Sequence, residues 1–181
     1  MKPLRPRYGR IRRIAAELLD EHSIKRPPVA VEAIAKAAGA QVTYRNFNNE
    51  ISGALVRRGT SAIIAVAAEQ PLVRQRFTIA HELGHFLLHA TAGEEVHIDK
   101  HFKVQFRSPA SSTAEDVGEI EANAFAAALL MPEEWVLREA RKVTFDFDDP
   151  EAVRELAERY DVSTQAMTFR LTNLLDLSIS A

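Results

Sequence analysis

One pentapeptide, His81-Glu82-Leu83-Gly84-His85, constrains this chain more than any other feature of its sequence. It lies in an apolar segment with helical spacing, and residues four apart on a helix are neighbours on one face, with Cβ atoms about 5–6 Å apart. Two imidazoles at that spacing can bind one zinc ion through nitrogens at about 2.0–2.1 Å. The pentapeptide therefore predicts a helix that presents His81 and His85 as a pair of metal ligands.

Two other residues of the pentapeptide, Glu82 and Gly84, lead to further predictions. Glu82 follows the first histidine and is turned far enough from the metal to stay out of its ligand set, while still reaching an attacking water. We expect it to act as a general base. Gly84 lowers helix stability by about 1 kcal/mol relative to alanine. Its presence indicates that a neighbouring backbone approaches this helix closely.

A catalytic zinc ion needs a third protein ligand, and the chain has no cysteine, so histidine, aspartate or glutamate must supply it. Glu121 is the expected ligand. Apolar residues follow it at i+4, i+7 and i+8, which places its carboxylate near a packed face, where an unpaired charge is costly. Glu119 stays open as the alternative, and otherwise it is a solvated charge near the start of the same helix.

The remaining polar candidates have weaker signals. His89 lies one turn beyond His85, too far along the helix to share a metal with both histidines, and is expected to support the site or to pack. Asn123 either orients a ligand or is a surface amide. His97 and His101 lie in a polar segment interpreted as a long loop, residues 91–113, and reach the metal only if that loop folds over it. The group that stabilises the oxyanion is not identifiable, and the open candidates are Tyr160, Arg170, His97 and His101.

Periodicity and turn residues predict several helices and one small antiparallel sheet. Helices at residues 8–22 and 31–38 precede three strands at 41–47, 51–57 and 62–66, arranged as an antiparallel meander. The strands are joined by turns at residues 48–50 and 59–60, and strand 62–66 is a candidate to hold an extended substrate by strand addition. The helix with the pentapeptide follows, then a second long helix at 114–131 and three shorter helical segments that reach residue 175.

Composition narrows the class of protein. An apolar fraction of 46%, a charged fraction of 27% and the absence of cysteine are typical of a globular protein in a reducing compartment. No apolar run approaches the roughly 20 residues of a membrane span, and the basic N-terminus lacks the apolar stretch of a signal peptide. We therefore expect a cytoplasmic location.

The C-terminal segment has the pattern of a helix-turn-helix, with Ser163 as the N-cap of its second helix. That second helix has one basic residue, Arg170, in an acidic neighbourhood. Phosphate contacts supply much of the affinity for DNA. The segment is therefore interpreted as a packing or protein-docking module rather than a DNA reader.

The segments FTIAHELGHFLLH (residues 77–89) and EANAFAAALLMP (residues 121–132) together resemble the ImmA/IrrE family of metallopeptidases. The resemblance extends from about residue 29 to residue 175. It implies a small zincin-like α+β domain at residues 1–142 with a packed helical segment at 143–181. It also implies zinc held by His81, His85 and Glu121, with Glu82 as the base.

The same resemblance implies a function. Members of the family act on Xre-type helix-turn-helix repressors or antitoxins, so the expected activity is a zinc endopeptidase that cleaves such a protein. About 28 residues precede the similar part, too few for a fused helix-turn-helix domain, so the repressor is expected to be a separate protein. The alternatives are a non-proteolytic zinc-binding regulator of a repressor and, less favoured by the charge pattern, a DNA-binding protein.

Overall fold

The computed structural model describes residues 5–47, 51–89, 94–100, 114–142 and 149–179 of the 181-residue chain. Within these ranges helices pack on a four-stranded mixed sheet, which confirms the predicted α+β class. None of the described helices is long and apolar enough to cross a membrane. The elements are α1 (Tyr8–Glu21), α2 (Val31–Ala37), β1 (Ala40–Arg45), β2 (Ile51–Arg58), β3 (Ser61–Ala67), α3 (Leu72–Leu88), β4 (Glu94–Lys100), α4 (Ala114–Leu130), α5 (Glu133–Ala140), α6 (Pro150–Arg159) and α7 (Thr164–Ile179).

The order of strands in the sheet differs from the predicted meander. The order is β1-β3-β2-β4, with β1 parallel to β3 and β2 antiparallel to both β3 and β4. The predicted turn at Gly59 and Thr60 is confirmed: these two residues join β2 to β3, and Gly59 has a φ of 59°, a value glycine adopts without steric cost. The predicted turn at residues 48–50 lies outside the described residues. The prediction of a meander was wrong because turn residues indicate which strands are consecutive in the chain but not which strands pair.

A fourth strand replaces part of the predicted long loop. β4 pairs with β2, and its side chains alternate, with Val96 and Ile98 exposed and His97 half-buried between them. Residues 91–93 and 101–113 of the predicted loop lie outside the described residues. Since β3 is paired on both sides, the prediction that strand 62–66 receives a substrate strand was wrong. In the described part of the sheet the edges are β1 and β4.

Helix α3 is the centre of the fold. It packs against the sheet on one side and against α4 on another, so that most of its side chains, polar ones included, are buried. The predicted close approach at Gly84 is confirmed. A Cβ added there would lie 3.0 Å from Phe125 Cδ1 and 3.2 Å from Ala122 Cα. The small residues of α4 thus let the two helix backbones approach, which places the beginning of α4 beside the histidines of α3.

The N-terminal helix packs on α4, and the C-terminal helices α5 and α6 both pack on α7. α1 packs on α4 through its apolar stripe of Ile11, Ala15 and Leu19, all buried. In the C-terminal segment, the Ala166 amide donates to Ser163 Oγ, which confirms the predicted N-cap of α7. Arg170 turns inward and donates to the carbonyl of Met131 at 3.0 Å. The boundary proposed between residues 142 and 143 stays a prediction.

Candidate metal centre

The two histidines of the pentapeptide face one point on α3. His81 is fully buried and His85 is 8% exposed, and their Nε2 atoms lie 3.0 Å apart. The ring centroids are 4.6 Å apart, with the planes at 72° to each other. The helical spacing predicted from sequence thus converges the same nitrogen of both rings on a common position.

Glu119 completes a group of donors around that position. Its Oε1 lies 3.2 Å from His85 Nε2, and its Oε2 lies 3.5 Å from His81 Nε2. Helix α4 brings this carboxylate over the pair because Ala122, one turn further along, is packed against Gly84. Its side chain is 37% exposed, so the centre is reached from solvent on the side of Glu119.

His97 belongs to the same group, and sequence reasoning underestimated it. In the sheet, His97 is the cross-strand partner of Leu55, and paired residues share a face. The neighbours of Leu55 on that face, Gly53 and Arg57, both meet α3. His97 therefore projects toward α3, with Nε2 3.3 Å from Glu119 Oε1 and its ring centroid 4.2 Å from that of His85. One sequence feature could have predicted this position of His97. The alternation Val96-His97-Ile98 is typical of a strand with one inward side chain.

Together the four side chains fit a zinc ion. One ligand atom from each of His81, His85, His97 and Glu119 lies within 4.8 Å of all the others. In a tetrahedral site with bonds of about 2.0–2.1 Å, neighbouring ligand atoms are about 3.3–3.4 Å apart. The distance between the Nε2 atoms of His81 and His85, and the distances from the carboxylate of Glu119 to each of the three histidines, are 3.0–3.5 Å, close to that value. Imidazole nitrogens and a carboxylate are also donors that zinc accepts.

Glu121, the ligand expected from sequence, is not brought to this group. The expectation that its carboxylate is buried agrees with an exposure of 1%, but its partners are different. Arg7 donates to Oε1 from its backbone amide at 2.7 Å and to Oε2 from its Nη2 at 2.6 Å. Residues two apart on a helix point about 200° from each other. Glu119 and Glu121 therefore cannot both face α3 at the same point, and Arg7, rather than a metal, supplies the charge that buried Glu121 needs.

Two further side chains hold the paired histidines by their other ring nitrogens. Asn123 Oδ1 lies 3.2 Å from His81 Nδ1. His89 Nδ1 lies 3.2 Å from His85 Nδ1, and His89 Nε2 lies 3.0 Å from Glu121 Oε2. His89 thus supports the site without joining it, as its position on the helix indicated, and Asn123 orients a histidine rather than facing solvent as a plain amide.

Glu82 is fully buried between α3 and β2. A Cβ added at Gly53 would lie 3.6 Å from Glu82 Oε1 and would overlap Thr78. The missing side chain at Gly53 thus leaves room for Thr78, whose Cγ2 would lie 2.4 Å from the added Cβ, while the carboxylate of Glu82 lies at van der Waals distance from the same position. Nothing about this role of Gly53 was predicted, because the contact is made between elements that are distant in the sequence.

The charges in the centre follow from burial and hydrogen bonding. Burial is the largest effect on His85 and lowers its pKa to about 4, so the ring is neutral near pH 7 and its nitrogen is free to bind a metal. Burial raises the pKa of Glu119, but hydrogen bonds with His81, His85 and His97 outweigh it and lower that pKa far below its usual range. For Glu121, burial likewise opposes ionisation, and hydrogen bonds from Arg7 and His89 lower its pKa to about 2.

The other candidates from sequence have different places. Tyr160 is 1% exposed and packs in the apolar core, and Arg170 binds the carbonyl of Met131. His101 lies outside the described residues. Of the four side chains left open for the oxyanion, His97 is the one that the described structure brings to the metal centre.

Comparison with known proteins places these residues in a family. Residues 35–172 match the model of Peptidase_M78, described as the IrrE N-terminal-like domain, which confirms the resemblance seen in the sequence. The chain is also similar to a protein of Bacillus phage phi105 called "Uncharacterized immunity region protein 2". The two are 29% identical over 122 residues, which is 65% of this chain and 70% of the phage protein.

Proposed function

The chain belongs to the Peptidase_M78 family of IrrE N-terminal-like domains, and from that premise we propose that it is a zinc-dependent endopeptidase. The observation that supports the proposal most is the convergence of His81, His85 and Glu119 on one point, with the buried Glu82 beside it on the same helix. We assign the three converging residues as zinc ligands and Glu82 as the general base. Glu119 takes the place that the sequence assigned to Glu121.

Each residue of the centre has its own role in the proposed hydrolysis of a peptide bond. When bound, zinc lowers the pKa of water toward about 7 and polarises a peptide carbonyl. Glu82 takes the proton of the attacking water and returns it to the nitrogen of the leaving amine. Asn123 and His89 orient the rings of His81 and His85 through their Nδ1 atoms. The outer edge of β4 is the described edge of the sheet that lies beside the centre, and we assign it to an extended substrate segment, which adds as a further strand.

The proposed substrate is a helix-turn-helix repressor or antitoxin of the Xre type, as the family resemblance implies. The similarity to a phage protein named for an immunity region supports a regulatory role of this kind. Arg170, the basic residue of α7, is engaged with the carbonyl of Met131, which supports packing or protein docking over DNA recognition by this helix. Zinc as the metal and the cytoplasm as the location are part of the same proposal.

A second function has one specific observation in its favour. Structural zinc sites use four protein ligands, whereas catalytic sites use three and keep a position for water. The group at this centre offers four donors, because His97 adds to the other three. The second candidate is therefore a zinc-binding regulator that binds a repressor without cutting it.

The test is to express wild type and Glu82→Gln in a bacterial host and to identify new protein N-termini by mass spectrometry. The endopeptidase predicts new termini with wild type that are absent with Glu82→Gln, while both purified proteins contain zinc. A general base contributes about 10²–10⁴-fold to rate, so the loss is large enough to detect. Zinc in both proteins with no difference in N-termini, and an unchanged regulatory effect of the variant, would establish the second candidate instead.

A further inference from the structure

Helix α3 ends three residues after His85, and arginines from other elements bind its last carbonyl groups. The last four carbonyls of a helix have no amide partner inside it and need partners from elsewhere. Arg57 Nη2 donates to Phe86 O and lies 3.3 Å from His85 O. Arg7 Nη2 donates to Leu88 O at 3.4 Å. The end of α3 therefore depends on side chains that are distant in the sequence.

Arg57 is a buried cation at this helix end. Its exposure is 5%, and its Cζ lies 4.7 Å from the centroid of the Phe86 ring. A buried charge is costly without partners, and the C-terminus of a helix has a partial negative charge that a cation complements. Many helices end at a glycine in the left-handed conformation, whereas α3 ends at His89 with a φ of −115°. The guanidinium of Arg57 thus supplies partners that a local glycine cap supplies in other helices.

His85 lies in this last turn, and its Nε2 converges with that of His81 at the metal centre, 3.0 Å away. Helix ends fray, whereas the residues of a metal site must be held within about 0.5 Å of their working geometry. We propose that Arg57 is a positioning residue, which binds the carbonyls of His85 and Phe86, keeps the last turn of α3 closed and so holds the His85 ring beside that of His81. The inference deepens the proposed function, on which it rests in taking His85 as a metal ligand.

The place of Arg57 in the sheet supports this role. Arg57 follows Leu55 by two residues on β2, so the two side chains are on the same face of the sheet. Leu55 is the cross-strand partner of His97. The strand pair that brings His97 to the metal centre therefore also brings Arg57 to the backbone of His85.

Arg76 provides a matched control on the same helix. It lies in the second turn of α3, and it also donates to two backbone carbonyls, those of Val29 at 2.8 Å and Asp161 at 3.2 Å. Removal of its guanidinium breaks the same kind of hydrogen bond without affecting the last turn. If Arg57 contributes only to general stability, substitutions of the two arginines should have similar consequences. A positioning role predicts an effect on the metal centre from Arg57 alone.

The experiment uses the full chain, the pair Arg57→Met and Arg76→Met, and the milder pair Arg57→Lys and Arg76→Lys. Methionine keeps an unbranched apolar side chain without a donor, whereas lysine keeps the charge but loses the planar fork of donors. Zinc affinity is measured by competition with a chelator on protein that circular dichroism shows to be folded. Hydrogen exchange of the metal-free proteins, followed by NMR, reports the opening of the last turn through the amide of His89, which donates to His85 O at 3.1 Å.

We expect zinc affinity to fall about 10–100-fold in Arg57→Met, as it does when other residues that orient a metal ligand are removed. The loss should be smaller in Arg57→Lys, and both Arg76 variants should keep wild-type affinity. The amide of His89 should exchange faster in Arg57→Met than in wild type or in Arg76→Met, because the last turn opens more often.

Wild-type zinc affinity in folded Arg57→Met, an equal loss in Arg76→Met, or unchanged exchange of the His89 amide would each overturn the inference. If Arg57→Met does not fold, the lysine pair is judged by the same criteria. Wild type that binds no zinc would refute the proposed zinc enzyme and the inference with it. Zinc bound by wild type with equal affinity in the Arg57 variants would refute the inference alone.

Discussion

Glu119 and Glu121 lie two residues apart on α4, but their carboxylates have different partners. Glu119 Oε1 is 3.2 Å from His85 Nε2, whereas Glu121 Oε2 is 2.6 Å from the Nη2 atom of Arg7. One helix thus directs one acid to the metal centre and the other to the junction of α1 and α3. We therefore expect the two acids to have different roles, which substitution can separate.

We expect Glu119→Gln to lose zinc and Glu121→Gln to retain about one zinc per chain when zinc is in excess. Glu119 is a donor of the four-residue group, while Glu121 acts on His85 only through His89. The measurement is elemental analysis of both variants after dialysis against equal zinc. Loss of zinc in Glu121→Gln alone would restore the ligand set first expected from the sequence.

His97→Ala should keep zinc, because the three assigned ligands His81, His85 and Glu119 remain. The imidazole of His97 lies with these donors, where the proposed enzyme needs an open position for water, so its removal should open that position. With cobalt in place of zinc, we expect a changed visible spectrum and at least 10-fold tighter binding of acetohydroxamate, together with a higher rate of peptide hydrolysis.

His22→Ala is the matched control, since His22 contacts the carbonyl of Leu18 in its own helix. A cobalt spectrum and hydroxamate affinity equal to those of wild type in His97→Ala would show that His97 is not a donor. Loss of hydrolysis with a normal metal content would instead assign His97 to the substrate.

Gly84→Ala should destabilise the protein by about 1–3 kcal/mol, as expected for overpacking. The new Cβ would lie 3.2 Å from Ala122 Cα and 3.3 Å from Ala122 O, and backbone atoms of a packed helix cannot move away cheaply. This cost exceeds the gain of about 1 kcal/mol in helix propensity. Urea unfolding at neutral pH measures the difference.

Gly118→Ala provides the comparison, because this glycine is also helical and its added Cβ would come no closer than 3.7 Å to another residue, the ring of His89. The free energy of unfolding of Gly118→Ala should rise by up to about 1 kcal/mol from helix propensity alone. Equal stabilities of the two variants would refute the tight crossing of α3 and α4.

Tyr160→Phe should flatten the loss of stability at alkaline pH. Burial, helped by the nearby charge of Glu139, raises the pKa of Tyr160 to about 12. Its ordinary value is about 10, so the unfolded chain loses the proton first. The contribution of the protonated Tyr160 to the free energy of unfolding is complete below pH 10 and is lost as pH rises through 12. The total is roughly 2–3 kcal/mol. The measurement is urea unfolding at pH 8 and pH 11, and the same decrease in both proteins would contradict the prediction.

The local features of this protein could be predicted from its sequence alone. The i,i+4 spacing of His81 and His85 places two rings on one helix face whatever the surroundings, because helix geometry is the same everywhere. Gly84 signalled a close helix crossing, and Ser163 signalled the start of α7, for equally local reasons. The two motifs at residues 77–89 and 121–132 were enough to indicate the family.

The residues that join the histidine pair could not be predicted from local sequence, because packing between distant elements selects them. Both Glu119 and Glu121 are compatible with a helix near the metal, and the choice depends on the rotation of α4 and on Arg7, 114 residues away in the chain. His97 enters the centre because β4 pairs with β2 in a register that sets it beside Leu55. Strand pairing and helix rotation depend on contacts between distant segments, and local patterns in the sequence do not encode such contacts.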